Sequence, residues 1–159
     1  MLTVVIYASK FGNTERVAQA IARGAGTSGE VRLEPVEAAN RTLAERPDLL
    51  LVGGPTQRRG PSPELRGFVE GLGSGSLMGV PTATFDTRYR GSKLIMGSAA
   101  AEAAKRLGKV GARMVAPAES FFIGRDGPPE RQALEAGELE RAEAWGRVVS
   151  ASIPLGGAS

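Results

Sequence analysis

The regular alternation of apolar runs with amphipathic stretches is the feature of this sequence that most constrains its fold. Residues 2–8 and 48–53 are near-continuous apolar runs, which are typical of central parallel strands buried on both faces. Residues 31–36, 80–86 and 113–123 are further strand-like runs, the first of them alternating as an edge strand does. The pattern predicts an α/β fold with a doubly wound, five-stranded parallel sheet.

The amphipathic segments between these runs predict helices on both faces of the sheet. They are residues 13–25, a weak helix at 38–45, a helix opened by Pro61-Ser62-Pro63, and residues 97–108 and 136–152. Pro117 cannot donate a hydrogen bond within the fifth strand, which favours an edge position for that strand. Since there is no internal repeat and no long linker, we expect one domain over residues 1–153 and a flexible tail at 154–159.

The residue inventory excludes several kinds of chemistry. The 159 residues include no Cys, which excludes disulfides, thiolate catalysis, iron–sulfur ligation and Cys-type zinc sites. They also include no His, the commonest general base and the commonest metal ligand. We therefore assign no catalytic residue and no metal site, and any redox chemistry must come from a bound cofactor.

Charge and hydropathy bear on partners and location. The 20 basic residues exceed the 17 acidic ones by only three, and the arginines are scattered without interleaved aromatic residues, so nucleic-acid binding is not expected. No apolar run approaches the roughly 20 residues of a membrane span, and the first residues lack the pattern of a signal peptide. We therefore expect a cytoplasmic protein that binds neither nucleic acid nor membrane.

Three connections are expected to meet at the ligand-binding edge of this sheet. With the strand order 2-1-3-4-5, the order reverses between strands one and three, and ligands bind outside the carboxyl ends of the strands at such a point. Residues 9–14, 55–62 and 86–92 follow strands one, three and four. Residues 124–133 form a further loop that is long enough to approach a ligand.

The first connection, SKFGNT at residues 9–14, suits an anion. Gly12 and Asn13 allow a turn whose backbone N–H groups converge at a helix N-terminus, where the helix dipole also attracts negative charge. The hydroxyls of Ser9 and Thr14 and the amide of Asn13 are suited to phosphate oxygens. The alternative is a plain turn with Asn13 or Thr14 as N-cap. Dinucleotide and P-loop patterns are absent, and strands one and three lack the terminal acids of response regulators.

Three segments resemble the flavodoxin family. YASKFGNTERVAQAIA at residues 7–22 resembles the family's phosphate loop and first helix, and LLLVGGPTQRRG at 49–60 resembles its third strand and first ring loop. TFDTRYRG at 84–91 stands where the family has its second ring loop. The resemblance covers essentially the whole chain and is of the short-chain type. It implies a flavodoxin-like fold that binds flavin mononucleotide (FMN) non-covalently.

The resemblance also implies a role for each loop. The FMN phosphate is expected to be held by Ser9, Lys10, Phe11, Gly12, Asn13 and Thr14. The flavin ring and ribityl chain are expected to be bordered by Pro55, Thr56, Gln57, Arg58, Arg59 and Gly60. The other side of the ring is expected to be covered by Asp86, Thr87, Arg88, Tyr89, Arg90 and Gly91. Tyr89 is the only aromatic residue of the ring loops and the candidate for stacking; its alternative is a half-exposed surface tyrosine.

The sequence departs from the family pattern in three respects. Phe11 stands where the family usually has Thr, and Gln57 replaces the Trp that often follows Pro-Thr. Familiar flavodoxins are strongly acidic, whereas the ring loops of this chain carry Arg58, Arg59, Arg88 and Arg90. Such cations would favour negative charge on the reduced ring if they faced it. Alternatively, they point into water and serve solubility or an acidic partner.

Three functions are consistent with these residues. The leading expectation is an FMN-binding electron-transfer protein that serves redox partner proteins with acidic surfaces. The second is an FMN-dependent reductase or oxidase whose arginines hold a small anionic substrate. The third is a flavodoxin-like module without FMN. Flavin colour separates the first two from the third, and consumption of NAD(P)H without an added reductase would indicate the enzyme.

Overall fold

The computed structural model describes residues 1–154 as a parallel sheet with helices on both faces. The expected tail at 154–159 lies, apart from Pro154, outside the described residues, and the domain limits remain a prediction. The strands are β1 (Leu2–Tyr7), β2 (Glu30–Pro35), β3 (Leu49–Gln57), β4 (Gly60–Pro61), β5 (Pro81–Arg88), β6 (Arg113–Met114) and β7 (Glu119–Phe122). The helices are α1 (Asn13–Ala25), α2 (Ala39–Leu43), α3 (Pro63–Glu70), α4 (Lys93–Met96), α5 (Ala99–Lys109) and α6 (Glu138–Ala151).

The strand order confirms the predicted fold class. The parallel path runs β2-β1-β3-β5-β6, and β7 pairs with β5 beyond β6. Since β5 is the fourth predicted strand and β6 with β7 forms the fifth, this path is the order 2-1-3-4-5. The order reverses between β1 and β3, so the crevice for a ligand lies at their carboxyl ends.

The fifth predicted strand is interrupted, which corrects its boundaries. Residues 113–123 form two pieces, because β6 pairs with the start of β5 and β7 with its end. Pro117 lies in the gap between the two pieces, where a residue without an N–H group cannot continue the ladder. The short helix α4 was not expected from the sequence. Its N-cap is Ser92, whose hydroxyl accepts a hydrogen bond from the Leu94 N–H at 3.2 Å.

Two connections are shorter than the sequence indicated. The strand β3 extends to Gln57 and folds back on β4, so the expected loop at 55–62 is a β-hairpin with a two-residue turn. The strand β5 extends to Arg88, so the first three residues expected in the loop at 86–92 belong to the sheet. In both cases pairing with a neighbouring strand continues past the apolar run, and apolarity alone therefore marked the strand ends too early.

The core has one layer on each face of the sheet. Val5, Leu49 and Leu51 pack with α1 and α6 on one face, whereas Ile6 and Leu50 pack with α3 and α5 on the other. Successive residues of β1 and β3 therefore enter opposite layers, and this is why their sequences are apolar without alternation. The two central strands are thereby held rigidly, with their carboxyl ends at the crevice.

An ion pair within α6, between Glu138 and Arg141, contacts β7 through the Phe122 N–H and the Glu119 carboxylate. The Glu138 carboxylate accepts hydrogen bonds from Arg141 Nη2 at 2.7 Å and from the Phe122 N–H at 2.8 Å, and its side chain is 8% exposed. Burial acts to raise the pKa of Glu138, but the hydrogen bonds from Arg141 and Phe122 outweigh it, so that the pKa is lowered. The charged carboxylate is thus the form that the fold stabilises.

Glu138→Gln should destabilise the protein in a pH-dependent way. Because the folded pKa lies below the unfolded value of about 4.3, the contribution is complete above that value and is lost as the pH falls through the folded pKa. We expect a loss of about 1–2 kcal/mol at pH 7, since Arg141 is partly exposed. Urea denaturation at pH 7 and pH 3 measures it, with the exposed Glu140→Gln as control. A difference that persists unchanged at pH 3 would contradict this account.

Candidate functional site

A cavity lies at the carboxyl ends of β1, β3 and β5. Its volume is about 660 Å³, within the roughly 300–1,000 Å³ of small-molecule and cofactor sites. All three predicted connections contribute to its wall. The predicted residues that line it are Ser9, Lys10, Phe11, Asn13, Thr14, Pro55, Thr56, Gln57, Arg58, Thr87, Arg88 and Tyr89. The remaining six predicted residues, Gly12, Arg59, Gly60, Asp86, Arg90 and Gly91, lie outside the wall.

The first connection presents free backbone donors to the cavity. Gly12 is the N-cap of α1 and has φ 94°, a left-handed conformation that L side chains rarely adopt. A Cβ at this position would meet no atom within 4 Å, so the glycine is needed for its conformation and not for space. Within residues 1–154, the N–H groups of Lys10, Phe11, Asn13 and Thr14 donate to no protein acceptor. Free N–H groups at the start of a helix, together with the helix dipole, are suited to an anion.

The polar side chains of this connection are already bonded to the protein. The Ser9 hydroxyl accepts hydrogen bonds from the N–H groups of Gly12 at 3.2 Å and Glu15 at 3.3 Å. The Thr14 and Thr87 hydroxyls lie 2.8 Å apart, and Asn13 Nδ2 donates to the Gln132 carbonyl at 2.8 Å. The plain N-cap alternative is wrong in detail, because the N-cap is Gly12. The unengaged donors for an anion are therefore mainly backbone groups.

The second connection brings strained backbone to the cavity mouth. Its two turn residues, Arg58 and Arg59, have φ 47° and 70°. Two-residue turns with positive φ at both positions prefer Asn-Gly, and each L residue there costs about 1–2 kcal/mol. Arg58 lines the cavity, whereas Arg59 is exposed beyond it, with its carbonyl against Gly97. Gly60 is buried in β4, where a Cβ would lie 2.7 Å from a Glu102 carboxylate oxygen.

Asp86 is a structural residue of the sheet interior. Its side chain is fully buried, and its Oδ2 accepts hydrogen bonds from the Ser98 hydroxyl at 2.6 Å and the Ala100 N–H at 3.0 Å. Both donors belong to the start of α5, so the carboxylate complements the positive end of that helix dipole. Among the described residues, Asp86 Oδ1 has no hydrogen-bond partner. The side chain is directed to α5, and this keeps it out of the cavity wall.

Arg88 places a cation in the cavity wall without a carboxylate partner. The residue is 8% exposed, and its Nε donates to the Ser120 hydroxyl at 2.8 Å while Nη1 donates to the Gly91 carbonyl at 3.0 Å. Its guanidinium also lies 5.1 Å from the centroid of the Phe122 ring. It forms no ion pair within residues 1–154. A buried cation with neutral neighbours attracts an anionic ligand strongly, because little water screens it.

The other residues of the third connection divide between wall and surface. Tyr89 lines the cavity, its hydroxyl donates to Gln132 Oε1, and Arg125, from outside the wall, lies 4.8 Å from its ring centroid. Arg90 is exposed and forms an ion pair with Glu135 at 2.8 Å, which removes it from the cavity and neutralises it. Gly91 is exposed and contributes the carbonyl that Arg88 binds.

Sequence reasoning missed six residues of the wall. Three of them come from the start of α3 and the residues before it, and three come from the loop after β7. They are Pro61, Pro63, Arg66, Ile123, Pro129 and Gln132. Of these, Pro61 lies within the connection expected at 55–62, and Pro129 and Gln132 lie within the loop at 124–133 that was expected to approach a ligand. Gln132 ties that loop to two others through Asn13 and Tyr89, a contact that no local pattern reveals.

The cavity carries positive charge without a compensating acid. Its wall includes Lys10, Arg58, Arg66 and Arg88, and no Asp or Glu. No cluster of acidic residues that could hold a metal ion occurs in residues 1–154. No helix in this part of the chain is long and apolar enough to cross a bilayer. A large anion with a planar portion fits this donor set, since backbone N–H groups, cations and the aromatic rings of Phe11 and Tyr89 line a single space.

Comparisons with known proteins agree with this architecture. The flavodoxin of a domain Archaea species superposes with a TM-score of 0.75 at 18% identity, covering 96% of this chain and 99% of that one. Flavodoxin 1 of Bacillus cereus gives 0.75 at 19% identity, covering 96% and 99%. A short-chain flavodoxin associated with a bacterial microcompartment gives 0.70 at 23% identity, covering 96% and 100%. At these identities the likeness shows the fold alone.

Sequence comparison extends this result from fold to family. No curated protein matches the chain. The family model described as Flavodoxin, however, matches residues 5–145, which include the end of β1, all of β3 and the three connections around the cavity. On this match the chain belongs to the flavodoxin family.

Proposed function

We propose that this chain binds FMN non-covalently and acts as an electron-transfer protein for acidic redox partners. The observation that carries the proposal is the set of free N–H groups at the start of α1, which face a cavity lined by cations and no acid. Family membership supports a flavin in general, and the anion site supports the phosphorylated form. The cytoplasmic location stays a prediction.

The residues fit FMN by the chemistry of their donors. The N–H groups of residues 10, 11, 13 and 14 and the Lys10 ammonium would hold the phosphate, and Tyr89 would border the ring. Bound FMN would supply a ring that accepts one or two electrons, chemistry that the side chains cannot supply. Arg88 would stabilise negative charge in the cavity, and Thr14 and Thr87 would hold the first and third connections together through their hydroxyl pair.

The visible spectrum of the purified protein tests the proposal. We expect flavin absorption that persists through gel filtration, or that is restored by adding FMN to the flavin-free protein. If the protein stays colourless after FMN has been added and the unbound FMN has been removed by gel filtration, the proposal is contradicted. The third function, a flavodoxin-like module without FMN, would then remain.

A second candidate is an FMN-dependent reductase or oxidase with a small anionic substrate. The observation that favours it is the pair Arg58 and Arg66, two cavity-lining cations without a carboxylate partner within residues 1–154. They lie beyond the phosphate loop and so remain to bind a second anion. Consumption of NAD(P)H by the FMN-loaded protein without an added reductase would favour this enzyme over the electron carrier.

Tyr89→Ala should weaken FMN binding and brighten the bound flavin. Stacking of an aromatic ring on a planar base is worth about 1–3 kcal/mol, and contact with the tyrosine quenches flavin emission. Tyr89 lines the cavity. Arg125, which is not a residue of the wall, covers one face of the Tyr89 ring. Fluorescence titration of the parent, Tyr89→Ala and Tyr89→Phe decides the matter. Tyr89→Phe should retain the quenching, and an unchanged Tyr89→Ala would assign the tyrosine to the surface.

Arg88→Gln should lower the potential at which the flavin accepts its second electron. A unit charge about 8 Å away at an effective dielectric near 20 stabilises a negative charge by about 2 kcal/mol. For one electron this corresponds to about 90 mV, and Arg88 is too buried for large screening. Arg58→Gln, an exposed cation of the same wall, is the control and should shift the potential severalfold less. Equal shifts in a stepwise redox titration would contradict a special role of Arg88.

A further inference from the structure

The mouth of the cavity is surrounded by cations that lack acidic partners. We call this surface the basic rim, and it comprises Lys10, Arg58, Arg59, Lys93 and Arg125. None of the five forms an ion pair within residues 1–154, whereas Arg90, Arg106 and Arg141 are each bonded to a glutamate elsewhere on the surface. The small net charge of the chain is therefore unevenly distributed, and positive potential concentrates at the mouth.

Contacts between three segments make the rim continuous. The Arg59 carbonyl lies so close to Gly97, at the end of α4, that a Cβ there would approach it to 2.0 Å. One residue earlier, Met96 Sδ lies 4.0 Å from Arg125 Nη2, and the Arg125 guanidinium covers Tyr89 of the cavity wall. The hairpin turn, α4 and the loop after β7 thus form one surface next to the cavity.

This surface also carries exposed apolar side chains. Leu94 is 96% exposed and Ile95 66% exposed, both on α4, and Phe11 is 48% exposed beside Lys10. Exposed apolar residues surrounded by arginines are typical of protein–protein interfaces. They do not stabilise the isolated protein. Asp126 and Glu130 of the neighbouring loop and Glu102 beside Gly60 are acids close to this surface, and Glu102 is already paired with Arg106.

The conformation of the hairpin turn points in the same direction. Arg58 and Arg59 occupy two positive-φ positions for which Asn-Gly is the relaxed pair. Neither side chain forms an ion pair or a hydrogen bond within residues 1–154, so nothing inside the fold offsets the strain. Strain that is retained in this way is typical of functional surfaces.

We propose that the basic rim is the docking surface for an acidic electron-transfer protein, with Leu94 and Ile95 at its apolar centre. The inference rests on the proposed function. It adds to that function the charge of the partner and the face of this chain on which the partner binds. Docking there would place the partner at the mouth of the cavity in which we propose that FMN binds. The charge of the rim selects acidic partners and repels basic ones.

The test is a titration of the ¹⁵N-labelled, FMN-loaded protein with an acidic plant-type [2Fe–2S] ferredoxin, followed by NMR at 20 and 300 mM NaCl. We expect amide shifts at residues 10–11, 57–60 and 92–97, and an affinity at least tenfold lower at high salt. Arg59→Glu should weaken binding about tenfold at 20 mM NaCl. Arg113→Glu, the same charge change on β6 at the opposite end of the sheet, should weaken it less than twofold.

Three further variants distinguish a specific contact at the rim from a general effect of charge and from loss of folding. Ile95→Ala should weaken binding at both salt concentrations, whereas Met78→Ala, at a similarly exposed residue away from the rim, should not. The double variant Arg58→Asn, Arg59→Gly should raise the thermal midpoint, because it relaxes the turn, and still lower the affinity for the ferredoxin.

The outcomes distinguish this inference from the proposed function. A sample without flavin absorption contradicts FMN binding, whatever the ferredoxin does. With flavin bound, the docking surface is overturned by an absence of binding at 20 mM NaCl, by shifts at the other end of the sheet, or by equal effects of Arg59→Glu and Arg113→Glu.

Discussion

Riboflavin, which lacks the phosphate, should bind to this protein at least a hundredfold more weakly than FMN. Four N–H groups at residues 10, 11, 13 and 14 are free, and a charge-assisted hydrogen bond is worth about 1.5–3 kcal/mol. Two such bonds already correspond to about 3–6 kcal/mol, or roughly 10²–10⁴ in affinity. Fluorescence titration of the flavin-free protein with each compound measures the ratio. Equal affinities would place the phosphate outside this loop.

Two glycines at opposite ends of α1 provide the matched variants. Gly12→Ala forces a methyl group onto a residue with φ 94°, which costs about 1–2 kcal/mol or turns the N–H groups away from the cavity. Gly26 has φ −59° and, like Gly12, has no atom within 4 Å of an added Cβ. We expect Gly12→Ala to reduce the preference for FMN to less than tenfold and Gly26→Ala to leave it intact. If both variants kept the preference, the left-handed turn would not be what forms the anion site.

Gly146→Ala should lower the free energy of unfolding by about 3 kcal/mol or more. The helices α1 and α6 meet backbone to backbone, since a Cβ on Gly146 would lie 2.2 Å from the Ile21 carbonyl oxygen. Gly24 faces Glu143 in the same way, at 1.9 Å. Backbone cannot move aside as a flexible side chain does, so the helices must separate and the core between them opens. For a chain of this size, 3 kcal/mol corresponds to about 6–12 °C in Tm.

A glycine elsewhere in a helix controls for the general effect of adding a methyl group. Gly67 lies inside α3 and has open space around its added Cβ. Gly67→Ala should therefore raise the free energy of unfolding by about 0.5–1 kcal/mol, the usual gain from helix propensity. Calorimetry on both variants checks the pair. If Gly146→Ala unfolded at the parental temperature, the close approach of α1 and α6 would not hold in solution.

The central strands and the place of the site were predictable because local apolarity reports burial on both sides. The runs at 2–8 and 48–53 became β1 and β3, and the crevice between their carboxyl ends follows from strand order. The helix at residues 13–25 was also predicted with its observed limits, since its apolar residues recur at helical spacing.

The ends of the strands were not predictable to the same degree. Pro55 and Arg88 belong to the sheet because the neighbouring strands extend far enough to pair with them. Their own side chains carry no strand signal. The same applies to α4, which has four residues and depends on one cap, a length at which intrinsic preference decides little.

The sequence by itself determined the fold class, the central strands, the loops that surround the cavity and the excess of arginine in them. Only the tertiary structure decided what each arginine does. Arg88 is buried without an acid, Arg90 is neutralised by Glu135, and Arg59 is exposed on the rim. The physical reason is that the effect of a charge depends on its burial and on partners distant in sequence, here 45 residues away for Arg90. Asp86 follows the same rule, because its role is set by α5 and not by the residues beside it in β5.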